Sequence, residues 1–554
     1  MPAPRLLLDH VYEHETQWRD RVYLTQPLPG GATIDHTWGQ ALDEARRMAT
    51  HLRGLGLGHG DRIALLSRNC AHSVIAELAI WMAGCTTVSL YPNEHPDTLR
   101  FELAHSAARL LFVGPLEAWA NQSPAVPASL PRIALPGAAA GAGEPWETIV
   151  AARQPLAGQP ARASDDIAML IYTSGSTGEP KGVLHDFGHV SAAVASIVAT
   201  IGYGPADRML SYLPLAHVFE RAFIECASLM AGGRLFFVES PATFMNDLRR
   251  ARPTLFLSVP RLWARFRQGV FERMPSRRLD RLLAVPLLGR VVARRVLAGL
   301  GLDRVRIAGS GSAPIAPELI AWYRRLGLNL LEGYGMTEDF ACSHMSRPGA
   351  SRPGSVGLPF PGVEVRIAGD GEVLVRSPGR FVGYLGRPDL DAASFTPDGH
   401  FRTGDRGEID EDGLLRLTGR IKEPFKTAGG KYVAPAPIES RLERHPMVAM
   451  SLVTGAGRAQ PCALIVLADS PGAGARDPAA RARIGRELAG LLDEINASLP
   501  VHERLRMIVV MPEPWSVGNG LLTPTLKTRR ARIEEAVAGR LSDWYGQPGP
   551  VVWA

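Results

Sequence analysis

From His36 to Val113 helical and extended patterns alternate along the chain, and this alternation restricts the fold more than any other feature of the sequence. The segment HTWGQALDEARRMATHLRGLGLGHGDRIALLS spaces its apolar residues along one helical face, runs into glycines and continues as an aliphatic strand at Arg62–Leu66. A helix over residues 72–83, a strand over 86–90, a helix over 96–107 and a strand over 109–113 follow. Short aliphatic strands separated by amphipathic helices predict parallel α/β layers, because parallel neighbours need a crossover that a helix supplies.

The texture changes further along. Residues 136–163 are rich in Ala, Gly and Pro and are expected to form a loop. Beyond Gly354, VEVRI, GEVLVRS and GLLRLTGR read as short antiparallel strands of a small barrel, with turns at Gly369-Asp370-Gly371 and Asp412-Gly413. From Lys422 onward, strand-like SLVTG and CALIVLA accompany the helical segment RIGRELAGLLDEINASL, the pattern of a small α+β domain behind a short connector.

A chain of 554 residues, 46% hydrophobic and 21% charged, has an ordinary soluble composition. Its length suggests roughly three to four domain-sized units. The net charge of +6 comes from arginines scattered through the chain; it suits anionic ligands such as nucleotides or lipid headgroups and does not imply nucleic acid. The five cysteines are far apart and form no CxxC pair, so neither a disulfide framework nor a thiolate metal site is expected, and a reducing, cytoplasmic compartment fits. Only Leu6-Leu7-Leu8 interrupts the charged N-terminus, so no signal peptide or membrane span is expected.

One segment concentrates phosphate-binding chemistry: YTSGSTGEPKGV, residues 172–183, follows an apolar strand over 167–172. Glycines let backbone N–H groups approach an anion, the hydroxyls donate further, and Lys181 supplies a positive charge. No Gly-Lys-Ser/Thr tripeptide closes it, so it is not a Walker loop. By itself it reads equally well as a phosphate cradle or a plain glycine-rich turn.

Further segments follow in order: YLPLAHVFER, LLEGYGMTED, FRTGDRGEID, LTGRIKEPFKTAGGKYVAP and LLTPTLKTRR. Together with the loop they resemble the acyl-adenylate-forming superfamily of acyl-CoA synthetases, peptide-synthetase adenylation domains and luciferases. PLAHVFER, SVPRLW at 258–263 and LTPTLKTRR are most similar to its long-chain fatty acid–CoA ligase branch, whereas other branches usually carry Gly-Lys where this chain has Leu526-Lys527.

The resemblance implies an α/β fold: a large N-terminal domain (1–419) of layered α/β subdomains plus a small β-barrel, then a smaller mobile α+β lid (420–554) turning about a hinge at Lys422. It implies that Thr173, Ser174, Gly175, Ser176, Thr177, Gly178 and Lys181 hold the phosphates of ATP. Tyr334 stacks on adenine in a pocket shaped by Gly311, Ser312, Ala313, Glu332, Gly333 and Gly335. Thr337 and Glu338 meet the α-phosphate, with Glu338 and Thr173 at Mg2+. Asp405 accepts the ribose hydroxyls and Arg420 closes on the same sugar or phosphate. Lys527 bridges carboxylate and phosphate during adenylation, and His217 stands beside the acyl pocket. Lys426, Gly429, Gly430 and Tyr432 line a tunnel for the thiol of coenzyme A.

The implied reaction joins a medium- or long-chain fatty acid to coenzyme A through an acyl-adenylate, with ATP as the activating substrate. An acyl carrier protein as acceptor, an aryl or other hydrophobic acid as substrate, a luciferase-like oxygenase and a nucleotide-binding regulatory protein without catalysis share these motifs and stay open. So does a homodimer. Residues 274–302 combine aliphatic runs with repeated arginine; Pro286 and Gly289 favour a surface helix pair over membrane contact, leaving at most a peripheral association with the inner membrane surface.

Overall fold

The computed structural model describes residues 5–174, 180–421, 423–468, 477–523 and 526–554, with Ser174 described by its backbone alone. The chain divides into two compact units. The first comprises Met1–Arg366, Leu374–Arg402 and Asp410–Leu415; the second comprises Ile367–Val373, Thr403–Ile409 and Arg416–Ala554.

The first unit contains an eight-stranded sheet ordered Gly383–Tyr384, Pro180–Asp186, Ile167–Ser174, Thr86–Leu90, Arg62–Leu66, Leu110–Val113, Arg132–Ala134 and Glu144–Pro145. From Ile167–Ser174 to Glu144–Pro145 every neighbour runs parallel, as the alternating pattern predicts. The helix Ala71–Ala83 is apolar nearly all round and buries all its residues but His72, as a helix packed between layers must. A second sheet sets Leu255–Ser258, Ile307–Ser310 and Leu330–Tyr334 side by side in parallel, followed by two short antiparallel strands.

Residues 136–163 do not form a plain loop. They contain the strand Glu144–Pro145 and the helix Trp146–Ala152. Trp146 is fully buried, its indole N–H donating to Glu44 Oε2 at 3.0 Å and its ring lying 5.9 Å from that of Phe112. One buried tryptophan supplies the apolar area that the small residues around it lack. The segments read as a small barrel form a four-stranded sheet ordered Glu364–Ile367, Glu372–Arg376, Phe401–Ile409 and Leu415–Arg420.

In the second unit the sheet Val448–Thr454, Cys462–Leu467, Ile508–Val510 and Val551–Trp553 separates two cores. Ala463, Ile465, Ile508 and Val510 enter one core, and Cys462, Leu464, Val466 and Val509 the other. Successive strand side chains point to opposite faces, so a continuous apolar run is what a sheet covered on both sides requires.

A buried ion cluster lies within the first unit. Arg221, fully buried, donates to Glu77, to Glu225 Oε2 at 2.7 Å, to Ser89 Oγ and to the Leu215 carbonyl at 2.6 Å. Burial works against its charge, but Glu225 and Glu77 outweigh it and hold the guanidinium above its usual range. Burial also raises the Glu225 carboxyl, against the opposing pull of Arg221. Removing one partner of such a cluster strands the other, at a cost of about 3–5 kcal/mol. Arg221→Ala is therefore expected to lower the first thermal unfolding transition by several degrees, or to prevent soluble expression; an unchanged transition in differential scanning calorimetry would show that the cluster is dispensable.

Candidate active site

Ligands of open α/β sheets collect beyond the carboxyl ends of the strands. In the first unit Thr173 and Ser174 end the strand Ile167–Ser174, Gly311, Ser312 and Ala313 follow Ile307–Ser310, and Glu332, Gly333 and Tyr334 complete Leu330–Tyr334. The last two strands are parallel neighbours with Ser310 opposite Glu332, which brings their two groups of residues together.

Thr173 stands opposite Lys181 across an antiparallel pair whose last step joins Ser174 to Pro180. Gly175, Ser176, Thr177 and Gly178 lie outside the described residues. Lys181 Nζ is 5.5 Å from the centroid of the Tyr384 ring, and the Tyr384 hydroxyl donates to Glu338 Oε1 at 2.7 Å. Tyr384 thus connects the lysine of the glycine-rich segment to the glutamate of GYGMTE. Its strand, Gly383–Tyr384, pairs with Pro180–Asp186, and Phe381 N–H donates to the Glu338 carbonyl at 2.9 Å. Burial, with the Glu338 charge adding to it, raises the Tyr384 phenol, so the hydroxyl stays protonated and keeps donating.

Glu332 is buried. Its Oε1 accepts from Ile315 N–H at 3.3 Å, while its Oε2 has no hydrogen-bond partner among the described residues, and burial pushes the carboxyl up to about 7. Tyr334 is half-buried, its ring 6.2 Å from that of His344 and tilted by 43°. Gly335 is glycine for a packing reason, since a Cβ there would lie 2.8 Å from the backbone of Ala341. Thr337 opens a short turn, Thr337–Asp339, in which the buried Asp339 accepts from Met336 N–H at 2.9 Å. Burial pushes Asp339 up to about 8.

His217 caps the turn Val218–Glu220: its Nδ1 accepts from Phe219 N–H at 3.1 Å. In the neutral ring the proton therefore sits on Nε2. The Phe219 ring comes within 3.4 Å of where a Cβ on Gly311 would be, so the LAHVF segment abuts the strand end that carries Gly311.

The second unit holds the remaining described candidates. Asp405 Oδ1 lies 3.1 Å from Arg420 Nε, an ion pair joining two residues that the sequence reading assigns to the same sugar. Lys527 retains solvent contact, yet the protein crowded around it lowers its ammonium from the usual range; Arg420 pushes the same way and Asp405 opposes. Lys527 N–H donates to Thr523 Oγ1 at 3.1 Å, and Thr523 N–H to the Lys527 carbonyl at 2.8 Å. Leu526 has a φ of +61°, a left-handed conformation that costs a branched side chain roughly 1–2 kcal/mol and a glycine nothing. The sequence resemblance marks this as the position where other branches usually carry glycine.

Lys422 lies outside the described residues. Lys426 pairs with Tyr432 across the hairpin Phe425–Lys426 and Tyr432–Val433, with Lys426 Nζ 5.0 Å from the Tyr432 ring centroid. Gly430, at φ +73°, is required by the turn; Gly429 is not in that region, and a Cβ added to it would meet only Thr427 Oγ1, at 3.9 Å. The fold has no use for the missing side chain of Gly429.

A family model described as AMP-binding enzyme matches residues 11–385, and one described as AMP-binding enzyme C-terminal domain matches residues 426–546. The chain belongs to the AMP-binding enzyme family. The long-chain-fatty-acid–CoA ligase FadD15 of Mycobacterium bovis is 31% identical over 99% of this chain and 99% of its own. The peroxisomal long chain acyl-CoA synthetase 7 of Arabidopsis thaliana is 28% identical over 97% of this chain and 86% of its own. Among solved structures, the adenylation domain of a carboxylate reductase from Mycobacterium chelonae has a TM-score of 0.81 at 24% identity, over 99% of this chain and 92% of its own. The anthranilate CoA ligase AuaEII has a TM-score of 0.79 at 22% identity, over 98% of this chain and 99% of its own.

Two residues of this AMP-binding enzyme escape a reading by motif. Tyr384 sits in an unremarked GYLG, where only the return of the chain to the strand Pro180–Asp186 brings it to Glu338. Asp339 follows the Thr-Glu pair as its silent third member, and its burial alone shows that it holds the turn.

The Glu332 carboxyl provides a measurement free of substrate. With a folded value of about 7 against 4.5 unfolded, it binds its proton more tightly in the folded chain, so its contribution is full below the lower value and lost as pH rises through the upper. The stability of the wild type is expected to fall relative to Glu332→Gln between about pH 5 and about pH 8, by on the order of 3 kcal/mol. Thermal midpoints of the two proteins across that range check it; parallel profiles would place the Glu332 carboxyl in water.

Proposed function

We propose that this AMP-binding enzyme activates a medium- or long-chain fatty acid with ATP through an acyl-adenylate and transfers the acyl group to coenzyme A, giving acyl-CoA, AMP and pyrophosphate. The observation that carries this reading is the 31% identity to a long-chain-fatty-acid–CoA ligase along 99% of both chains.

In the first half-reaction a carboxylate oxygen attacks the α-phosphorus of ATP and pyrophosphate leaves. Two anions must be held together, so the protein's task is to neutralise charge and align, as in phosphoryl transfer generally. Lys527 bridges carboxylate and α-phosphate; Lys181 and the hydroxyls and amides of the glycine-rich segment hold the departing pyrophosphate. Asp405, fixed by Arg420, accepts the ribose hydroxyls, as a carboxylate can from two donors at once. Tyr334 stacks on adenine, and Glu332 Oε2, which has no hydrogen-bond partner among the described residues, is suited to accept from its amino group. Thr337 contacts the α-phosphate and His217 stands by the acyl chain. Glu338, oriented by the Tyr384 hydroxyl, and Thr173 offer the oxygen ligands that Mg2+ prefers, and the ion would neutralise phosphate charge when bound.

In the second half the thiol attacks the acyl carbonyl and AMP leaves. This requires Lys527 to withdraw, and we assign the movement to residues 420–554 turning about Lys422. The gap between the two matched family models, after residue 385 and before residue 426, supports a boundary there. The pantetheine arm passes Lys426, Gly429, Gly430 and Tyr432. Gly429, whose side chain the fold could accommodate, is explained by the close passage of a ligand.

Two variants separate the halves. Lys527→Ala is expected to lower ATP–pyrophosphate exchange at least about a hundredfold, with thioester formation from a supplied acyl-adenylate retained; equal loss of both would contradict the two-step scheme. Gly429→Val is expected to do the reverse, sparing exchange and lowering thioester formation about tenfold or more. The substrate is tested by AMP release across fatty and aryl acids, with coenzyme A in one arm and a phosphopantetheinylated carrier protein in the other. Release with aryl acids alone, or only with the carrier, would replace this reading.

A further inference from the structure

The hairpin Phe425–Lys426 and Tyr432–Val433 is fixed by packing only at its base. Val433 is buried, and Phe425 packs against the same core as Ile438 and Leu442. Toward the tip that support ends: Ala428, Gly429, Gly430 and Lys431 are exposed, and Tyr432 is 60% exposed. A two-stranded hairpin with so little apolar contact does not keep one position unaided. Two main-chain hydrogen bonds tie it to the turn that joins Val448–Thr454 to Cys462–Leu467. Ala428 N–H donates to the Arg458 carbonyl and Gly457 N–H to the Lys426 carbonyl, both at 2.8 Å. The hairpin is therefore placed only as well as the turn is.

The side chain of Arg458 fixes that turn. Its Nη2 donates to Ser542 Oγ at 2.8 Å, and its guanidinium carbon lies 5.2 Å from the centroid of the Tyr545 ring, within reach of a cation–π contact. Tyr545 closes the clamp from the other side, its hydroxyl donating to the Gln460 carbonyl at 2.7 Å. Gly455, at φ +120°, leaves room for this hydroxyl, since a Cβ there would lie 2.6 Å from it. Ser542 and Tyr545 belong to the helix Leu541–Gly546, which Trp544 anchors in the core with Trp515 and Val552. Through Arg458 the exposed hairpin is thus referred to a buried tryptophan more than a hundred residues on in the sequence. The segment carrying Lys527 is held by other contacts: Lys527 N–H bonds Thr523 Oγ1, and Arg530 donates to Glu439 and to the Val453 carbonyl.

On the reading that this hairpin lines the path of the thiol, we propose that Arg458 is a positioning residue for the acyl-transfer half of the reaction: clamped by Ser542 and Tyr545, it holds the hairpin tip where the pantetheine arm passes. Arg458 touches neither substrate nor reacting atoms. Its effect falls on the second half alone, because the adenylating lysine has its own supports.

The test uses the full-length protein. Arg458→Ala is expected to raise KM for coenzyme A and to lower thioester formation from a supplied acyl-adenylate about tenfold, as loss of positioning does, with ATP–pyrophosphate exchange unchanged. Arg458→Lys keeps a cation over the Tyr545 ring and should recover most of that loss. Amide hydrogen exchange at residues 425–433 should quicken in Arg458→Ala, a readout that needs no substrate. A general loosening of the second unit would lower both half-reactions together, since Lys527 lies in it; equal losses overturn the proposal, and so does unaltered hydrogen exchange in the hairpin. Gly429→Val separates this role from the reading beneath it. Thioester formation lowered by Gly429→Val but not by Arg458→Ala rejects the role of Arg458 alone, whereas formation spared by both rejects the thiol path along the hairpin and the role of Arg458 with it.

Discussion

The first unit depends on one fully buried guanidinium. Arg221 reaches the helix Ala71–Ala83 through Glu77, the strand Thr86–Leu90 through Ser89, and its own segment through the Leu215 carbonyl and Glu225. A buried arginine is tolerated only when its donors are met, and meeting them here ties three separate parts of the chain to one point. The segment so fixed is the one in which His217 caps a turn and Phe219 packs against the position of Gly311. Its next turn, Arg221–Glu225, is wound as a π-helix, a form that recurs near functional sites. The geometry beside the proposed acyl chain is thus set by a polar interaction with no part in the chemistry.

Buried acids have the same supporting function elsewhere in the first unit. Asp339 holds the turn that presents Thr337 and Glu338, and burial keeps its carboxyl high enough to remain neutral near pH 7. Glu220, also buried, accepts from Ser211 and Asn69 and is pushed up to about 8. Neutral acids in an apolar interior supply hydrogen bonds without the desolvation cost of a full charge. The candidate charged residues nearer the surface are Lys181 and Glu338, joined through Tyr384, in the first unit, and Asp405, Arg420 and Lys527 in the second.

Much of this could be read from residues alone. Strands at Arg62–Leu66 and Thr86–Leu90 and the helix Ala71–Ala83 lie where periodicity puts them, because runs buried on both faces leave little ambiguity. The helix Trp146–Ala152 was hidden because a seven-residue element is too short to show a period, and its stability comes from Trp146 meeting Glu44 and Phe112, which are distant in sequence. Tyr384 was hidden for the same reason, its partner Glu338 lying 46 residues away. Leu526 is the opposite case: its departure from glycine was visible in the sequence, and the left-handed backbone shows what that departure costs.

Sequence by itself determined the family, the order of the motifs and the chemical types available, because these are local: a glycine-rich segment, a Thr-Glu pair and a lysine near the C-terminus are each written in consecutive residues. Tertiary structure decided which of them meet. Lys181 and Glu338 share Tyr384, and Asp405 is engaged by Arg420. Such pairings depend on strand order, burial and the path of the chain through the sheet, and those follow from the packing of the whole core.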